Sequence, residues 1–388
     1  MNALNRSRAH YLIKLATCVF LIVVAAIILL SQAGCTPQQP VEAIQTPETQ
    51  LTQAVVTTPA TSITKSIADL TQKAMPPALI SVVENRIMEQ LASEDALQVA
   101  EVPEAGLALD ALRTENTLII LREAGLQRVN LADGLSEMVS DFDSPVRFGE
   151  LILAGDGEHV LYSAVADDPA ADFGMGTTVG IYSLDDGSVR QVLSSPQNLR
   201  VLGLTPDRLG LYLLPVGQDP DFASLFQVDL ASGEVIKELL VNGSQFAALS
   251  SDGRFIATMG PESSLNLYDL QVSLPTLLTY ALPEVPSHVA GLAWSPDSRS
   301  LYFLLNPGSA WDAPEKSLGI WRLDLASGDI SPIAAVSEAA MHIRTLSQDG
   351  GWLLLEHESR PETVWVDLTS GESLAFTRPE AGLLARLR

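Results

Sequence analysis

Cysteine is nearly absent from this chain. Of 388 residues only Cys18 and Cys35 are cysteines, and both fall in the first 35. The remainder therefore holds no disulfide and no thiolate metal cluster. It needs neither, because 47% of the residues are apolar and a chain this long can bury a large core. Basic residues are also scarce. Arg6, Arg8 and Lys14 stand among the first 34 residues with no acid, which leaves 20 basic against 47 acidic residues, a net −27, in the rest. Such a surface repels phosphate backbones and excludes nucleic acid as a partner class. It favours a soluble monomer. It could also suit cationic partners or metal ions, but a solvated acidic exterior is the reading the composition favours.

Signatures of chemistry are missing too. There is no Gly-x-Ser-x-Gly elbow, no P-loop, no dinucleotide glycine loop and no twelve-residue calcium loop. His159, His288, His342 and His357 include no pair at zinc-ligand spacing. Acidic pairs such as Asp185-Asp186 sit at turns, where aspartate serves the backbone. No catalytic residue, cofactor or metal site is assigned from the sequence.

The N-terminus reads as an address. A basic stretch is followed by an apolar run from Leu15 to Leu30, then by Ser-Gln-Ala-Gly-Cys at 31–35. Ala33-Gly34-Cys35 resembles the lipobox of bacterial lipoproteins, which implies lipidation of Cys35. The position three residues before that cysteine, commonly leucine in the family, is Gln32. Two alternatives remain: an uncleaved span, since Leu15–Gly34 has roughly the ~20 residues required, and ordinary cleavage after Ala33. All three place residues 36–388 outside the cytoplasm, at a cell envelope, in keeping with positive charge on the inner flank. Residues 36–66, rich in Thr, Pro, Gln and Ala and free of aromatics, form a flexible linker.

Residues 67–102 are expected to form a helix–strand extension. Leu79, Ile80, Val83, Ile87 and Leu91 recur at helical spacing over 76–92, and a strand follows at 96–102.

From 103 to 388 the chain is periodic. One turn signal recurs as Gly155-Asp156-Gly157, Thr205-Pro206-Asp207, Ser251-Asp252-Gly253, Ser295-Pro296-Asp297 and Gln348-Asp349-Gly350, with its aspartates 51, 45, 45 and 52 apart. A second interleaves with it at 130–134, 183–187, 229–233, 269–273, 324–328 and 367–371. One period of about 45 residues with four short strands per unit is that of a β-propeller blade. Aromatics on the third strand of the units (Tyr182, Phe226, Tyr268, Trp321, Trp365) are expected to pack between blades.

The unit spanning LAWSPDSRSLYFLL (292–305) and GIWRLDLASG (319–328) resembles the WD-like repeats of TolB-type β-propellers. The resemblance covers about 107–377 and implies an all-β propeller. Six units are countable. The alternative is seven, the last assembled from 96–102 and the tail 380–388, which would close the ring. Function is hardly constrained by this fold.

Connections between second and third strands are long and must emerge on one face. Three carry an acid beside an aromatic: Asp172-Phe173, Asp221-Phe222 and Trp311-Asp312. These are the candidate partner-binding loops of a non-enzymatic binding or scaffold module for envelope proteins. The alternative is a propeller enzyme, lactonase- or quinoprotein-like, with a metal in the central channel, for which Asp110, Glu150 and Gln245 are the best-placed ligands. Mass spectrometry of the mature N-terminus tests the address: lipidated Cys35 is the expected start, and an intact Met1 overturns both cleavage readings.

Overall fold

The computed structural model describes residues 75–387, leaving out 92–96, 104–105, 172–173, 217–222, 242–246, 261–262, 273–275, 284–286, 309–316, 337–340, 358–359 and 378–382. All regular structure among the described residues is β. It forms seven sheets: six of four consecutive strands, one of these with a fifth strand from the tail, and one of three consecutive strands completed by a second tail strand. The chain is a seven-bladed β-propeller.

Blade 1 is built from both ends of the chain. Leu79–Val83, Arg86–Gln90 and Leu97–Glu101 pair in order, and the C-terminal Leu383–Leu384 adds antiparallel to Leu79–Val83 as the innermost strand. Blade 2 runs from Ala108–Thr114 through Thr117–Arg122 and Gly125–Asn130 to Ser136–Asp141. The inner strands of blades 3 to 7 are Val146–Leu153, Leu199–Leu204, Ala247–Leu249, Ser287–Trp294 and Met341–Leu346. Seven apolar clusters fill the spaces between neighbouring blades, and the last closes the ring by packing Leu79 and Leu384 against Trp352, Leu354, Trp365 and Phe376. The third-strand aromatics lie in these inter-blade clusters, as expected.

The helix expected over 76–92 is instead the first hairpin of blade 1. Every residue of Leu79–Val83 is buried, so this strand faces apolar neighbours on both sides and shows no period-two alternation. A short, largely apolar run such as Leu-Ile-Ser-Val-Val also satisfies helical spacing, so periodicity alone does not separate the two. Leu91, the last member of the expected stripe, is 47% exposed. Four of the ten strand residues are β-branched, and Glu84 adopts φ 55° in the turn. This hairpin supplies two of the four strands of blade 1, so the six-blade count gives way to seven.

The recurring first turn has a side-chain mechanism. In blade 6 the Ser295 hydroxyl donates to Asp297 Oδ1 at 2.7 Å and accepts from the Ser300 N–H at 2.9 Å, while Arg299 N–H donates to the same carboxylate at 3.1 Å. Thr205/Asp207, Ser250/Asp252 and Ser347/Asp349 repeat it. A hydroxyl two residues before the aspartate is thus part of the motif. The second turn works through Asp229, Asp324 and Asp367, whose Oδ1 atoms collect the N–H groups two and three residues on, and the glycine that follows takes positive φ, as at Gly233 (72°).

The two-residue strand Leu383–Leu384 cannot persist on its own propensity, so the ring depends on its burial. Leu384→Ala should lower the unfolding free energy by about 2–4 kcal/mol in urea titration. Leu240→Ala, at a position 72% exposed, should change it by under about 0.5 kcal/mol. Equal effects would show that the tail does not close the ring.

Candidate functional site: the central channel

Seven inner strands surround the channel, and their backbones are not regular. Register shifts mark the inner strands of blades 2, 3, 4, 6 and 7. In blade 7 the shift falls between Ile343 and Thr345, so Arg344 is the extra residue. A bulge re-aims the side chain it carries.

Arg344 and Arg386 meet Asp110 there. Asp110 is 2% exposed and fully engaged. Its Oδ1 accepts from Ala111 N–H at 3.0 Å and Arg344 Nη2 at 2.8 Å. Its Oδ2 accepts from Leu151 N–H at 2.8 Å and lies 3.4 Å from Arg386 Nη2. Arg386 turns its other terminal nitrogen to Glu150 Oε1 at 2.9 Å and the Leu151 carbonyl at 3.2 Å. Glu150 Oε2 is 3.5 Å from Arg200 Nε, and Arg200 Nη2 donates to the Ala247 carbonyl at 2.5 Å. Glu356 lies 3.7 Å from Arg344 Nε and 3.6 Å from His342 Nε2. Three carboxylates and three guanidiniums from blades 2, 3, 4 and 7 and the tail thus form one network.

The pairing outweighs desolvation where it is densest. Burial acts to raise the Glu150 carboxyl, but the charges of Arg386 and Arg200 hold it below the usual carboxylate range. Burial acts to lower the Arg386 guanidinium, and Asp110 with Glu150 drives it above its ordinary value. At Arg344 burial prevails, aided by the Arg386 charge, and the guanidinium falls below its ordinary value.

Asp110 and Glu150, the channel ligands expected from the sequence, are therefore brought together, but around the Arg386 guanidinium. Gln245 lies outside the described residues. So do Cys35 and the loop residues Asp172, Phe173, Asp221, Phe222, Trp311 and Asp312. Sequence reasoning missed Arg200, Arg344, Arg386 and Glu356. The available signal was arginine inside short apolar segments, LRVLGL (199–204), MHIRTL (341–346) and the tail ARLR (385–388).

A cavity of about 370 Å3 lies beside the network, lined by Arg200, Arg344 and Arg386 and by the first-turn residues Gly155, Ser251, Pro296 and Gln348. It thus opens toward the face of the short first turns, opposite the long second-to-third-strand connections. The turns crowd together there: a Cβ at Gly155 would run into the Ser251 carbonyl oxygen, which explains glycine at that position. A larger groove of about 670 Å3 between blades 2 and 3 is lined by Asp141, Asp143, Asp167 and Asp168, among others. Asp167 is held by Arg147 at 2.7 Å. In blade 3 the first turn departs from the others. Ala154 replaces the hydroxyl residue, and His159 Nδ1 contacts Asp156 Oδ2 at 2.9 Å in its stead.

Asp110→Ala leaves two buried guanidiniums without their shared counter-charge. A loss of about 3–5 kcal/mol in unfolding free energy is expected in denaturant titration. A change below about 1 kcal/mol would show that the network does not hold the ring.

No protein-family model matches the sequence, and no curated protein matches it. Solved structures do share its fold. A functionally unknown protein from Desulfotomaculum acetoxidans superposes with TM-score 0.53 at 13% identity, covering 81% of this chain and 100% of that one. The periplasmic gluconolactonase PpgL of Pseudomonas aeruginosa gives 0.53 at 15%, covering 79% and 99%. An oligogalacturonate lyase in complex with manganese gives 0.50 at 13%, covering 76% and 83%. At these identities the likeness is one of fold: the chain is similar to other β-propellers, in agreement with its seven sheets.

Proposed function

We propose that this chain is a binding module of a cell envelope, held at the membrane by its N-terminal segment, with a propeller that presents one face to protein partners. The observation that carries this reading is the state of the channel carboxylates. Asp110 spends both oxygens on two backbone N–H groups and two guanidiniums, and Glu150 is shared between Arg386 and Arg200. Carboxylates that coordinate a divalent cation must offer oxygens to it, and guanidiniums at those oxygens oppose a second positive charge. The acids of this channel act as counter-ions that hold blades together.

The N-terminal order of basic, apolar and small residues supports placement outside the cytoplasm. The partner face is assigned to the long second-to-third-strand connections. Asp172-Phe173, Asp221-Phe222 and Trp311-Asp312 are its proposed contacts, on their recurrence at equivalent places in the repeat. Aromatic side chains contribute large contact area at such surfaces.

A second reading, a propeller enzyme, draws on the lactonase and the manganese-bound lyase that share the fold. It requires Asp110 or Glu150 to exchange an arginine for a metal ion or a substrate.

Affinity capture from envelope extract with the full chain as bait separates the two. One partner band, lost when Phe173, Phe222 and Trp311 are all replaced by alanine, is expected, with no stoichiometric metal in the purified bait. Unchanged capture by the triple variant overturns the assigned face. Stoichiometric divalent metal, lost in Asp110→Asn, favours the enzyme.

A further inference from the structure

The channel cavity combines features that the binding-module reading does not use. Its volume, about 370 Å3, is that of a small-molecule pocket. Among the described residues, the charged groups lining it are Arg200, Arg344 and Arg386 alone. Asp110, Glu150 and Glu356, their counter-ions, are not part of its wall. In a chain of net charge −24 this is a concentrated positive surface. The Nε atoms of all three arginines are buried and make no hydrogen bond, although those of Arg200 and Arg344 face the Glu150 and Glu356 carboxylates at 3.5 and 3.7 Å. The rest of the wall is largely apolar, with Leu112, Leu202, Leu249 and Trp294 among its residues.

From this we infer that the channel cavity binds a small organic monocarboxylate, with its carboxylate on the guanidiniums and its body against the leucines and Trp294. Guanidinium recognises carboxylate through paired, planar hydrogen bonds. The charge count selects a monoanion. The three guanidiniums on the wall meet a single negative charge directly, whereas a second one adds repulsion from the three carboxylates that already pair with them. The apolar wall selects an organic body over an inorganic ion. The cavity opens on the short-turn face, so its occupation is independent of partner capture on the opposite face.

Benzoate and its neutral counterpart benzamide are suitable probes for the full chain, followed by ligand-observed NMR. Benzoate should bind with a dissociation constant on the order of 1 mM or tighter, and benzamide at least tenfold more weakly. Phenyl phosphate, with about two negative charges, should bind more weakly than benzoate. Arg200→Met should weaken benzoate at least tenfold. Arg200 pairs with Glu150 alone among the described residues and stands outside the Asp110 clasp, so its replacement leaves ring closure in place. Should that variant fail to fold, Arg200→Lys keeps the charge without the planar fork, and a weakening of threefold or more is expected. Equal binding of benzoate and benzamide, no benzoate binding at 10 mM (about ten times the expected constant), or unaltered affinity in the folded Arg200 variant overturns the proposal.

Discussion

Ring closure by the last few residues is the constraint on which the rest of the molecule depends. The blades of a propeller bury their apolar faces against one another, and until the first and last blades meet each terminal sheet exposes such a face. Here closure is shared between apolar burial and charge. Leu384, 1% exposed, enters the cluster between blades 7 and 1. Ala385 N–H donates to the Ile80 carbonyl at 2.8 Å. Arg386 then pairs in parallel with the inner strand of blade 2 and carries its guanidinium to Asp110 and Glu150. Five residues thus join blade 1, blade 2 and blade 3. Arg344 reaches back from blade 7 to Asp110 and to the Leu384 carbonyl at 2.7 Å. The ion pairs do more than add stability. Two-residue strands have almost no register information of their own. A guanidinium that must meet two fixed carboxylates supplies it.

A buried arginine elsewhere serves the same end. Arg122, 1% exposed, bonds Gln127 Oε1 at 2.6 Å and the carbonyls of Gly106 and Glu84 at 2.8 and 3.3 Å. None of these acceptors is a carboxylate, and burial lowers its guanidinium below the ordinary value. It fastens the first hairpin of blade 1, through the turn residue Glu84, to blade 2. The first and second blades lack the serine–aspartate turn of the later ones. Side-chain bonds to arginine take over part of the positioning that turn geometry provides in blades 4 to 7.

The repeat was legible because its turns depend on local chemistry. Asp297 and Asp324 hydrogen-bond their own neighbours, so spacing alone reveals them. The third-strand aromatics could be placed between blades for a similar reason, since bulky side chains on a fixed strand of each unit have one place to go. Blade 1 was hidden because Leu79–Val83 is buried on both faces and carries no alternation. The channel network was half visible. Asp110 and Glu150 stood out as acids in short inner strands. Arg344 did not, because its position depends on a bulge, and Arg386 did not, because its partners lie 276 and 236 residues earlier in the chain. Neither bulges nor long-range ion pairs leave a local periodic signal.

Charge is arranged oppositely outside and inside this protein. The exterior is acidic and the aspartates that make it so are largely turn residues, held below the usual carboxylate range by serine hydroxyls and by backbone N–H groups of the turn, as at Asp186 (about 2) and Asp297. Their number follows from the repeat: in blades 3 to 7 the first turn uses an aspartate, and so do most of the second turns. Acidity of the surface is therefore partly a by-product of the architecture and gives little information about partners. The channel runs against that trend, with guanidiniums in segments otherwise made of small and apolar residues. Turn formation does not require them, and a hydrophobic inner strand would cost less to bury. Arg344 and Arg386 are accounted for by closure, since each bonds the tail or the blades it must join. Arg200 bonds Ala247 in the next blade, and its Nε pairs only loosely with Glu150, at 3.5 Å and without hydrogen-bond geometry. Of the three, it is the arginine least explained by holding the ring together, and it is the one that makes the channel wall read as a recognition surface.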